Sequence, residues 1–264
     1  MPFAPSALAL PPLATSIFAV PGFAEPVSSW THLGAAGVAL ILGVPLVRRG
    51  RGRIARTALS VFVFSAIFLL SMSGVYHLLD HGGAGREVLR RLDHAGIWVL
   101  IAGTFTAMHV LAFRGWGMRW GVLLGVWTVA ITGLVLKTIF FHELPEWVGL
   151  LFYLGLGWVG ALTARGLRRA ACDDARRLLI WGGVAYSVGA IVQAVGWPTV
   201  VPGVVGPHEL FHLAVLAGLG FHWRLVQRLT ATPGGCPQSP GARANGEQAG
   251  RPDDRARSVT STLP

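Results

Sequence analysis

Long apolar runs separated by short polar ones dominate this chain, and seven of the runs are long enough to cross a bilayer. They cover Val27–Val47, Thr57–Leu79, His94–Phe113, Trp120–Phe141, Trp147–Ala164, Leu178–Trp197 and His208–Leu225. A membrane helix needs about 20 mostly apolar residues to span the hydrocarbon layer. The second run carries no Asp, Glu, Lys or Arg from Thr57 to Leu79 and is the cleanest; the first and fifth have the least definite bounds. Connections between runs are short, so neighbouring helices are expected to pack antiparallel in one bundle. The predicted fold is therefore all-α: a polytopic membrane protein with seven transmembrane helices.

Three regions follow from this pattern. Residues 1–24 read as a flexible or interfacial lead-in, apolar but broken by Pro11, Pro12 and Pro21, with a cleaved signal peptide as the alternative. Residues 25–228 form the seven-helix domain. Residues 229–264, rich in Pro, Gly, Ser, Arg and Asp, read as a disordered tail. Gly117, Gly121 and Gly125 recur at four-residue spacing, which permits close helix approach in lipid. Packing inside the bundle is the expected use, ahead of dimerisation.

Composition agrees. Of 264 residues, 53% are hydrophobic and 13% charged, against about 25% charged in soluble domains. The net charge of +10 does not point to nucleic acid, because the arginines sit in short clusters between apolar runs without an aromatic-basic recognition motif. Arg48, Arg49, Arg51, Arg53 and Arg56 share one face with Arg114, Arg119, Arg165, Arg168, Arg169, Arg176 and Arg177, and with Arg224 and Arg228. The other face shows Arg86, Arg90, Arg91 and Lys137. The positive-inside rule then puts the C-terminus in the cytoplasm and the N-terminus outside, in what is expected to be the plasma membrane. Cys172 and Cys236 have no spacing that indicates a disulfide framework or a thiolate metal site.

Polar residues break the apolar pattern at one depth. Ser73 and His77 are one turn apart near the end of the second run, Asp93 begins the third, and His208 and His212 open the seventh. Seven alternating spans bring all of these to the same membrane face. Polar groups there are costly, because the bilayer core offers no water. Imidazoles at i and i+4 share a helix face and can grip one ion. Three histidines with an open fourth position make a catalytic zinc arrangement, in which a bound water has a pKa of about 7. Asp93 is the candidate general base, and Ser73 a donor to a substrate carbonyl or a partner to Asp93. A lone membrane histidine is more often a hydrogen-bond partner between helices, and Asp93 has Arg90 and Arg91 nearby to pair with. The convergence of the set, not any one residue, carries the metal reading.

His208-Glu-Leu-Phe-His212 also spells H-E-x-x-H, the zinc metalloprotease signature, with Glu209 as base. That reading lacks a later ligand, since the seventh run passes straight into the tail. The expected role of Glu209 is to orient a ligand or cap the helix start. Gln193 reads as an interhelical hydrogen-bond partner, His81 as exposed, and His94 as pointing to a different face from Asp93. Tyr76 and Trp98 read as packing residues that can also line a cavity.

Ser73-Gly-Val-Tyr-His77, Arg91-Leu-Asp-His-Ala-Gly-Ile97 with Ile101-Ala-Gly-Thr-Phe-Thr106, and His208-Glu-Leu-Phe-His212 together resemble the motifs of the hemolysin III and PAQR (progestin and adipoQ receptor) group. Glu25 and His32 resemble its N-terminal glutamate and histidine. The resemblance spans roughly residues 25–226. It implies zinc on His77, His208 and His212, with Asp93 reaching the ion through water, and kinship with alkaline ceramidase-type hydrolases of lipid amides. It also implies, for many relatives, an N-terminus toward the cytoplasm, the reverse of what the arginines here indicate. The leading expectation is a zinc-dependent hydrolase of a lipid amide or ester, with membrane lipids as partners. The alternatives are a non-enzymatic receptor with structural zinc and a cytolytic, membrane-perturbing protein. A pore would need a polar stripe along several helices, which this sequence lacks.

Overall fold

A computed structural model describes residues 17–143 and 145–231, with residues 146 and 164–172 described by backbone alone. The expected lead-in up to residue 16 and the expected tail from residue 232 lie outside the described residues. Six helices follow one another: α1 (Pro26–Arg48), α2 (Arg53–Leu78), α3 (Ala84–Ala112), α4 (Val122–Ile139, entered through a π-helical turn at Gly117–Gly121), α5 (Glu146–Val195) and α6 (Pro207–Ala231). Among the described residues, the only strand-like pairings are two isolated bridges, Val20 with Phe23 and Val201 with Val205.

α5 holds two spans. Trp158 Nε1 donates to Ser187 Oγ at 2.9 Å although the residues are 29 apart. A straight helix would separate them by about 43 Å, so the arms Trp147–Thr163 and Asp173–Val195 lie side by side. That restores the seven expected spans. Five of them are long and apolar enough to cross a membrane by composition alone. The arm Trp147–Thr163 is shorter, and α6 is diluted by His208, Glu209 and His212 at its start. Apolar side chains on the outer helices face outward, with Leu162 81%, Ile41 73% and Leu124 68% exposed. Water would penalise that surface and lipid does not, so the bundle is an integral, multi-pass membrane protein.

Two apolar cores fill the interior. One joins Ala36, Ala39 and Leu46 of α1 to Leu59, Phe62 and Leu70 of α2, with Leu100 of α3 and Leu219 and Val226 of α6. The other joins Phe105 and Met108 of α3 to Leu123, Val126 and Ala130 of α4, Leu156 and Leu179 of α5, and Leu225 of α6. α3 and α6 serve both cores, as α2 does through Ala58. α2 and α3 touch backbone to backbone at Gly96, where a Cβ would fall 2.9 Å from the Leu69 Cα.

Three features differ from the sequence-based expectation. α3 begins at Ala84, so Asp93 lies more than two turns inside the helix and does not open it. The charged entry turns are helical because Glu87 pairs with Arg90 at 3.7 Å and Arg91 at 3.5 Å, at i,i+3 and i,i+4. α6 continues to Ala231, past the expected start of the tail. Gly117 and Gly125 meet no neighbour within 4 Å of a built Cβ, so this part of the glycine stripe does not serve packing inside the bundle. The internal close approaches fall at Gly96, Gly103 and Gly74 instead.

Gly96→Val should therefore lower stability by about 1–3 kcal/mol through overpacking against Leu69. Gly125→Ala should be neutral or slightly stabilising, since it only raises helix propensity. Thermal unfolding of both variants in detergent micelles checks the contrast.

Candidate metal centre

His77 sits in the last turn of α2, and His208 and His212 occupy the first two turns of α6. The three rings meet where these ends converge. His212 Nε2 lies 3.0 Å from His208 Nε2, and His77 Nε2 lies 3.4 Å from it. One ring nitrogen from each of the three lies within 4.8 Å of the others, a group that can hold a metal ion. A tetrahedral ion with bonds of about 2.05 Å spaces its ligand nitrogens by roughly 3.3 Å. A proton on His208 Nε2 can serve one neighbour at a time, whereas a cation between the rings takes all three lone pairs at once. The donor set therefore fits a divalent, nitrogen-binding metal.

Partners behind the rings differ. His77 Nδ1 lies 2.6 Å from Glu25 Oε2, and the other oxygen of Glu25 takes Arg86 Nη2. The exposed His81 ring comes within 3.5 Å of that second oxygen. Glu25 lies just ahead of α1. Burial pushes the Glu25 carboxyl up, but the hydrogen bonds from His77 and Arg86 outweigh this and bring it below its ordinary value. His32, from α1, packs against His212 with ring centroids 4.1 Å apart and the planes tilted by 40°. Both nitrogens of His32 and Nδ1 of His212 are buried without a hydrogen-bond partner among the described residues.

Glu209 turns away from the three rings. Its Oε2 accepts from Gly206 N–H at 2.9 Å and its Oε1 from the Ser28 hydroxyl at 3.3 Å. One oxygen of this buried carboxylate thus caps the start of α6 and the other ties it to α1. The glutamate of H-E-x-x-H is accounted for by helix capping.

A cavity of about 990 Å³ opens beside the histidines. Ser73, Asp93 and His94 are on its wall together with His77, His208 and His212, so all five expected site residues border one space. His94 shares that wall instead of facing elsewhere; its Nδ1 lies 2.8 Å from the Arg90 carbonyl and 3.9 Å from Asp93 Oδ2. Arg90 and Arg91 both reach Glu87. Leu69, Ile97, Phe211 and Val215 make the deep wall apolar, and Gln193 and Tyr153 add polar groups to it. Tyr76 also lines the space, whereas Trp98 packs edge-on against Tyr153 with centroids 4.8 Å apart. Sequence reasoning reached Glu25 and His32 only through resemblance, and it read Arg86 as a loop arginine. Arg86 is buried, and its partner lies 61 residues away, a pairing that no local pattern reveals.

This architecture defines a class: a seven-helix membrane bundle with a three-histidine site set at one face beside an amphipathic cavity. The family model for haemolysin-III-related proteins matches residues 23–223, and the chain belongs to this hemolysin III/PAQR family. Hemolysin-3 of Bacillus cereus is 31% identical over 161 residues, covering 61% of this chain and 69% of that protein. The Hemolysin-3 homolog of Bacillus subtilis (strain 168) is 30% identical over 159 residues, covering 60% and 70%. Heptahelical transmembrane protein 5 of Arabidopsis thaliana is 31% identical over 189 residues, and the match spans 65% of this chain and half of the plant protein.

Glu209→Ala should cost about 1–3 kcal/mol, because it strands the Gly206 N–H and the Ser28 hydroxyl in a buried place. A melting curve beside wild type measures this. Unchanged stability would show that the two contacts contribute nothing.

Proposed function

We propose that this protein is a zinc-dependent membrane hydrolase acting on a lipid amide or ester. The observation that carries the reading is the meeting of three imidazoles at an apolar-walled cavity large enough for part of a lipid. Three protein ligands is the number found in catalytic zinc sites, whereas structural sites close with four. Zinc held by His77, His208 and His212 would supply hydroxide near neutral pH and polarise a carbonyl.

The chain's own groups do the rest. Asp93, on the cavity wall, takes the proton released when water attacks the carbonyl and returns it to the departing nitrogen or oxygen. Ser73, one turn before His77, donates a hydrogen bond that places the substrate carbonyl. The apolar wall of Leu69, Ile97, Phe211 and Val215 takes the acyl chain and excludes bulk water. The Bacillus relatives carry the name hemolysin, which describes an effect on cells and specifies no reaction. The polar groups grouped at one depth favour a site over a channel.

The arginine-rich loops support an orientation with the C-terminus in the cytoplasm and the metal site near the opposite face. The arginines of the site-bearing face are partly drawn into pairs with Glu25 and Glu87.

Purified protein should contain one zinc per chain by elemental analysis, and His208→Ala and His212→Ala should lose it. Fatty-acid release from a panel of lipid amides and esters should fall at least a hundredfold in Asp93→Ala while zinc stays bound. A wild type that carries zinc without releasing fatty acid from any member of the panel would favour the receptor reading. A C-terminal reporter fusion should be active in the cytoplasm; a periplasmic signal reverses the orientation.

A further inference from the structure

The three histidines are not equivalent, and the difference lies behind the rings. Glu25 Oε2 faces His77 Nδ1 at 2.6 Å, with His77 almost fully buried. A carboxylate accepts the hydrogen bond at this contact, so the geometry sets His77 as the Nδ1–H tautomer. Nε2 is then left as a bare lone pair, and it is Nε2 that faces His208. The carboxylate lies on the far side of the ring from the converging nitrogens, so it orients His77 and is not itself a ligand.

Glu25 is fixed on every side. Its backbone N–H donates to the His77 carbonyl at 3.0 Å, and the Ala24 N–H donates to the Leu78 carbonyl at 3.2 Å. These bonds zip the entry to α1 onto the end of α2. Arg86, from the first turn of α3, holds the second carboxylate oxygen and also donates to the carbonyls of Tyr76 and Leu79. One guanidinium thus caps the helix that carries His77 and pins the carboxylate that orients it. His212 has no equivalent support: its Nδ1 is buried without a hydrogen-bond partner among the described residues.

We infer that Glu25 is a positioning residue of the metal centre: with Arg86 it presets His77 as an Nε2 ligand before the ion arrives. This rests on the zinc reading given under Proposed function. Outer-sphere carboxylates that fix a ligand's tautomer and raise its basicity are worth about tenfold to a hundredfold in metal affinity. The dependence is specific to a carboxylate, because an amide at this place can present its N–H and hold the wrong tautomer.

The experiment measures zinc affinity by competition with a chromophoric chelator, on full-length protein in detergent. Wild type is measured first; failure to bind zinc overturns the zinc reading and this inference together. Given binding, Glu25→Gln should weaken zinc tenfold to a hundredfold and Glu25→Asp should recover most of the loss. Metal-free melting temperatures are recorded alongside. A Glu25 that only holds the fold would lower the metal-free melting temperature in Glu25→Gln and leave zinc affinity within twofold of wild type, and that result overturns the inference while the zinc reading stands. Should Glu25→Gln not fold, nitrogen-15 histidine spectra of zinc-loaded wild type decide. They should show His77 metal-bound through Nε2 with a downfield Nδ1 proton, and coordination through Nδ1 overturns the proposal.

Discussion

A bilayer offers a buried nitrogen no water, and that one constraint organises this molecule. A polar atom taken into the bundle is costly unless it finds a partner in its own helix, on another helix or on an ion. The solution is to gather the polar groups at one end. There Arg86 meets Glu25, Glu25 meets His77, Glu209 meets Ser28, and Ser29 donates to the Gly74 carbonyl at 2.8 Å. Each of these contacts joins different helices or the segments that enter them. The apolar cores below bring the helices together without direction, and the polar end decides how they are seated.

The same constraint explains why the site is where it is. Three imidazoles in a low-dielectric interior are poor company for one another, since their lone pairs repel and protons cannot serve all of them. A cation removes that conflict, and the surrounding packing is built as if to expect one. Glu25 and Arg86 stand behind His77, and the His32 ring packs at a tilt against His212. Glu209 uses one oxygen on the helix start and the other on Ser28, which fixes the start of α6 against α1. The cavity reaches this arrangement from the side that carries Asp93 and Ser73.

Much of this was legible in the sequence, for physical reasons. Spanning helices announce themselves because about 20 residues must be apolar in a row, and alternation of direction then assigns Ser73, His77, Asp93, His208 and His212 to one face. What was not legible involves long-range pairing. The first turns of α3 look like a polar loop because Arg86, Glu87, Arg90 and Arg91 are charged; only the partner Glu25, far away in the chain, explains why Arg86 is buried in a helix. Glu209 looked like part of a protease motif because spacing along a helix does not say which oxygen finds which donor. The Gly117–Gly125 stripe advertised close packing, yet the close approaches between α2 and α3 are made at Gly96 and Gly103, which have no such regular spacing to mark them.

The separation of the ligands along the chain has a consequence for biosynthesis. His77 and His208 are 131 residues apart, and at about 5–20 residues per second the ribosome takes roughly 7–26 s to get from one to the other. Glu25, His77 and Arg86 are all made early and lie at adjoining helix ends, so their cluster can form while the later spans are still being threaded. The two ligands on the last helix arrive together, near the end of translation. A nascent or prematurely terminated chain therefore presents one ring nitrogen to the cell's metal pool, too few to hold an ion. An ion held by all three rings could load only once the seventh span is in place, and its capture would then be a check on complete insertion.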